Sequence, residues 1–122
     1  MKVFVLTVIL LLVLILLAVV NALYINNVAN RMLSRLDAIP DIGHPDCVPL
    51  ARELLSYWES CADTVNLTVS FSAVDRITEQ AKLLLACAEH GDTLGFHSAL
   101  TLLFDTVSDL KRLEAFDVGN LF

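Results

Sequence analysis

Residues 3–20, VFVLTVILLLVLILLAVV, decide the architecture, because they contain no charge and only one polar side chain, Thr7. A helix through this run spans most of a hydrocarbon layer about 30 Å thick. Asn21 interrupts it, yet Ala22, Leu23, Tyr24 and Ile25 can carry the helix on into the interfacial zone. An aromatic ring with a polar tip is favoured there, and Asn26, Asn27 and Asn30 mark the return to water. The expectation is a transmembrane helix over 1–25. A cleaved signal peptide is the competing reading, with Lys2 as its charged end and Val20-Asn21-Ala22 as the cleavage site. The apolar run is longer than the ~7–15 residues of a signal-peptide core, which favours retention. Charge bias decides little about orientation: Lys2 and the terminal amine stand against Arg31 and Arg35, and Asp37 and Asp41 offset that pair. A tail of two residues ahead of the run is the layout of a signal-anchor, which leaves the N-terminus in the cytoplasm and exports the remainder.

Beyond the run the chain changes character. All fourteen Asp and Glu residues lie past Asn21, against seven Lys and Arg with no basic cluster. Such an acidic surface repels phosphate backbones, which argues against nucleic-acid partners. With 122 residues there is room for the anchor and one domain. Glycine and proline are scarce and strand-like alternation is absent, so the class expected is all-α.

Four amphipathic segments follow from the spacing of apolar residues. Ile25, Val28, Met32, Leu36 and Ile39 recur every three or four positions and predict that the anchor continues as a stalk helix, ended by Pro40 and the turn through Pro45, so that 26–45 form a stalk and turn. A second helix begins at Asp46, a plausible N-cap, with Pro49 tolerated in its first turn. Its inner arc reads Leu50, Ala51, Leu54, Leu55, Trp58, Cys61, Ala62 and Val65, opposite Arg52, Glu53, Glu59, Ser60 and Asp63. Ser70 or Ser72 caps a third helix with Val74, Ile77, Ala81, Leu84, Leu85 and Ala88 inward. His90-Gly91-Asp92 stops it and starts a fourth, from about Thr93 to Leu113. That helix carries Phe96, Ala99, Leu100, Leu103, Val107 and Leu110 on one face, flanked by Leu102, Phe104 and Leu113. Short turns favour antiparallel neighbours, so residues 46–122 are expected to pack against the stalk as a small antiparallel bundle of three to four helices.

Catalytic patterns are missing. There is no GxSxG, HExxH or P-loop sequence, and His97-Ser98 are adjacent on a helix and so diverge. Asp75 with Glu79, and Asp105 with Asp109, read as solvated helix faces. Cys47, Cys61 and Cys87 are odd in number and show no CxxC spacing, so no disulfide framework can be read; Cys61 belongs to an apolar arc, whereas Cys87 falls at the edge of its face, where partial exposure is expected. The sharpest chemical alternative is a metal centre, since His44-x-x-Cys47 and Cys87-x-x-His90 together offer two His and two Cys, a set that suits zinc. The plainer reading of those four is packing or solvent exposure, and no cofactor is expected. Asn66-Leu67-Thr68 matches the short glycosylation acceptor pattern.

The order of these parts resembles that of short clostridial single-pass membrane proteins grouped as domain of unknown function 4363. The likeness covers nearly the whole chain. It runs from the N-terminal helix and polar stalk through Trp58-Glu59-Ser60 and Val74-Asp75-Arg76-Ile77 to the ending Gly119-Asn120-Leu121-Phe122, which is similar to that family's Lys-Asn-aliphatic-Phe terminus. Cys47 stands where the pattern has an aromatic, and the fourth helix is more apolar. The resemblance implies a membrane-anchored helical domain facing outward, with no activity, cofactor or catalytic residue to carry over. The expectation is a non-enzymatic module at the bacterial cell envelope. It would hold membrane lipid through its first helix and a protein partner or second copy through the flank at Leu102 and Phe104. The alternative is a metal-dependent envelope accessory or enzyme using the His/Cys set.

Retention of the anchor is testable by N-terminal sequencing of the fractionated protein. The chain should sediment with membranes and keep its first residues; a soluble form beginning at Leu23 would refute this.

Overall fold

The computed structural model describes residues 1–67 and 69–121, with side chains up to residue 112. Four helices account for nearly all of the described chain: α1 (Lys2–Ala38), α2 (Cys47–Val65), α3 (Phe71–His90) and α4 (Thr93–Leu121). No strand occurs among the described residues. The second half of α1 packs on α2 and α4, α3 packs on the same two, and the diagonal pairs do not meet. The result is an antiparallel four-helix bundle from which the first half of α1 projects.

Anchor and stalk are one uninterrupted helix. From Val3 to Leu14 every side chain is exposed, whereas Ala22, Ile25, Val28, Ala29, Met32 and Leu36 are buried. The division expected between residues 25 and 26 therefore falls inside a helix, and Ile25, with no exposed surface, belongs to the bundle core. Tyr24 is likewise half-buried, and its ring lies against Cys61 and Thr64 of α2 rather than standing free. Helix α1 ends where Pro40 forces the preceding Ile39 into an extended conformation (φ −74°, ψ 120°).

The remaining ends follow from local chemistry. Asp46 occupies the N-cap position of α2, but its side chain makes no capping bond. Two of the first-turn positions need no such bond: the Cys47 N–H donates to the His44 carbonyl at 3.1 Å, and Pro49 has no N–H to satisfy. Ser70, not Ser72, caps α3 and accepts from the Ala73 N–H at 3.3 Å. At the other end Gly91 adopts the left-handed conformation (φ 70°, ψ 22°), and the Asp92 and Gly91 N–H groups donate to the Cys87 and Ala88 carbonyls. This paired closure satisfies two orphan carbonyls in a turn of two residues and throws α4 back against α3. Asp92 then caps α4 through the Gly95 N–H at 3.0 Å. Helix α4 continues past the expected end near Leu113 to Leu121. The side chains of Leu113 and of Gly119–Phe122, and all of Thr68, lie outside the described residues.

The core is the stripe that the spacing predicts, and Trp58 is the largest of its fully buried side chains. Its indole N–H donates to the Thr78 hydroxyl at 2.8 Å, and that hydroxyl donates on to the Val74 carbonyl at 3.0 Å. Burying an indole without a partner for its N–H would cost about 1–3 kcal/mol, so Thr78 is what allows tryptophan at this point of the core. Trp58→Ala should lose about 3–5 kcal/mol, much of what a domain of this size has in total. Thr78→Val, nearly isosteric, should lose about 1–3 kcal/mol through the orphaned indole N–H alone. Denaturant unfolding followed by circular dichroism measures both, and native emission typical of water-exposed indole would contradict the placement.

Candidate functional site

Three regions carry side chains that packing does not explain. The first is the end of the bundle remote from the apolar half of α1. There the 39–46 loop, the start of α2, the end of α3 and the start of α4 come together, so both proposed metal-ligand pairs do reach one end. They do not converge. The His44 Nδ1 accepts from the Asp46 N–H at 3.1 Å and lies 3.8 Å from that residue's carboxylate. Cys47 is 2% exposed and faces the core, while His90 is exposed on the last turn of α3. Among the described residues no three His, Cys, Asp or Glu side chains are arranged to hold a metal ion. At this end His97 of α4 lies 3.8 Å from Asp41, and Arg52 of α2 pairs with Glu89 of α3 at 3.6 Å.

All three cysteines are free thiols and buried. Cys87 was expected at the rim of its helix and is instead 8% exposed. The reason is Gly95: a Cβ there would meet the capping Asp92 side chain and come within 3.0 Å of the Cys87 sulfur, so its absence lets α4 close over the thiol. Sequence reasoning could not see this, because the glycine reads only as a weak point in a helix. Burial, and then the nearby Asp41 carboxylate, push the Cys47 thiol above its ordinary value. Such a thiol is a poor nucleophile and a poor metal ligand, since both roles need the thiolate.

The second region is the α1–α2 seam. Arg35 lies over the Tyr57 ring, 4.5 Å from its centroid. Burial, and then Cys61, push the Tyr57 phenol above its ordinary value, and Arg31 pulls the other way. The two arginines that the sequence offers as topology signals thus also dress a half-buried tyrosine.

The third region is α4. Its core row is Phe96, Ala99, Leu103, Val107 and Leu110, and the wide apolar arc is partly explained by two neighbours, α1 and α3. Leu102 and Phe104 nevertheless remain 53% and 45% exposed. They do not form one surface, for two residues on a helix are about 200° apart. Leu102 stands two turns from Gly95, on the flank that touches Cys87 of α3. On α3 the exposed Leu83 lies one turn from Cys87 on the same flank, so Leu83 and Leu102 share the outer edge of the α3–α4 seam. Phe104 stands two turns from His97, on the flank towards Asp41 and α1.

No protein-family model matches the chain, and no curated protein or solved structure shows significant similarity to it.

The thiols give a direct measurement. The folded Cys47 holds its proton more tightly than the unfolded one, so its contribution to stability is present below the ordinary thiol range near pH ~8.5 and is lost as pH rises through the folded value. Thiol titration should find all three cysteines slow to alkylate at neutral pH in the native protein and fast in denaturant. Melting should weaken on going into the alkaline range, less so in Cys47→Ala. A native thiol that reacts at the unfolded rate at neutral pH would overturn this.

Proposed function

We propose that this chain is a membrane-tethered, non-enzymatic interaction module of the bacterial cell envelope. The observation that carries the reading is the division of α1. Its apolar window is long enough to cross a membrane and has no part buried inside the protein, whereas the same helix from Ala22 onward is bundle core. Eleven exposed apolar side chains between Val3 and Leu14, interrupted only by Thr7, have no stable place in water. Lipid is the solvent that suits them. The resemblance to the clostridial single-pass proteins supports a bundle that faces outward from the membrane.

The working surface is the outer edge of the α3–α4 seam, where Leu83 and Leu102 stand 52% and 53% exposed beside one another. It takes a protein partner, a second copy of this chain included. Phe104, on the opposite flank, serves as an internal control. Leu102→Asp and Leu83→Asp should leave helicity and melting temperature nearly unchanged while abolishing cross-linking of the full-length chain to its partner in membranes. Phe104→Asp should leave that cross-link in place. Cross-linking that survives both leucine substitutions would remove the reason for assigning this face, and loss of fold in both would show them to be structural.

A further inference from the structure

Because α1 runs unbroken from the apolar segment into the bundle, the level of every bundle element relative to that segment is fixed. Tyr24 lies against Cys61 and Thr64, and Arg35 over Tyr57, so α2 descends antiparallel to α1. The last turn of α2, at Val65, thus comes beside the Ala22 turn. Leu67, two residues further on, is about 3 Å nearer the apolar segment. A hydrocarbon layer takes about 20 residues of helix, which reach from Val3 to Ala22. The α2–α3 turn is therefore already at headgroup level when α1 spans.

Two independent features mark that turn. Leu67 is 80% exposed and Phe71, which opens α3, is 66% exposed. Secondly, the stretch from Thr64 to Val74 contains no charged residue, in a domain rich in carboxylates. The opposite end of the bundle carries Asp41, His44, Asp46, Glu89, His90, Asp92 and His97. The turn itself is free of charge, while α4, descending on the other side of the same end, brings Lys111 and the exposed Asp109–Arg112 ion pair there.

We propose that the α2–α3 turn is a second membrane contact, in which Leu67 and Phe71 enter the boundary between headgroups and acyl chains of the leaflet from which α1 emerges. The inference rests on the reading of α1 as a membrane span. The occupant is a lipid surface, because the exposed apolar surface continues across this end from α1 itself. Zwitterionic lipid suits it better than anionic, since Asp63 and Asp75 flank the neutral stretch. With Leu67 held among headgroups, Asn66 is out of reach of a glycosylating enzyme, and the acceptor pattern there is silent.

The test is quenching of introduced tryptophans by brominated acyl chains, using the full chain reconstituted in phosphatidylcholine vesicles. Trp58 is buried well above the bilayer and supplies a constant background. Leu67→Trp and Phe71→Trp should lose most of their added emission in brominated vesicles, as should Leu12→Trp in the middle of the apolar segment. Leu94→Trp, at the remote end of the bundle, should lose none. Quenching at 12 without quenching at 67 or 71 would overturn the second contact and leave the anchor standing. No quenching at 12 would overturn the anchor, and the second contact with it.

Discussion

Everything in this molecule depends on α1 remaining a single rigid helix while its surroundings change at Ala22. Up to Leu14 its side chains are exposed on all sides; from Ala22 onward they present a buried stripe every three or four positions, which is the geometry a helix needs to bury one face. Each large side chain of that stripe contributes about 1.5–3 kcal/mol when fully buried. Without Ile25, Val28, Met32 and Leu36, the other three helices would be left with an open apolar side. The bundle is therefore built onto the anchor helix, and its orientation relative to that helix is set by core packing. A flexible tether would have left the two independent.

The other three helices are held in place by short connections as much as by the core. The two-residue turn at Gly91-Asp92 forces α4 to run back along α3, and Gly95 then lets the helices close over Cys87. Across the bundle, Trp58 is tied to α3 through Thr78, the one polar contact that the large buried side chains require. The thinner α1–α2 seam is dressed by Arg31 and Arg35 on Tyr57. Polar side chains here serve packing and turns. All three thiols are buried, Cys47 with its proton held more tightly by burial and by Asp41.

The surfaces of the protein differ by location. The remote end is charged, the α2–α3 turn is neutral with two exposed apolar side chains, and the α3–α4 edge carries the exposed Leu83 and Leu102.

The amino-acid sequence alone determined the four helices, the apolar span, most of the core and nearly every helix end, because those follow from spacing of three and four, from proline and glycine, and from uncharged length. The left-handed Gly91 and the capping Asp92 are legible in three letters. Other features required the tertiary structure, since they depend on which residues far apart in sequence become neighbours. Thr78 reads as an ordinary polar position until Trp58 arrives beside it, and Cys87 looks like a rim residue until Gly95 brings α4 over it. Helical geometry alone sets Leu102 and Phe104 about 200° apart, but only the packed bundle shows that both stay exposed and which neighbour each one flanks. Likewise His44, Cys47, Cys87 and His90 have the spacing of a ligand set. Spacing places pairs on a turn, but convergence of two pairs is decided by how α2 and α3 are rotated in the bundle, and packing of the apolar stripes sets that rotation.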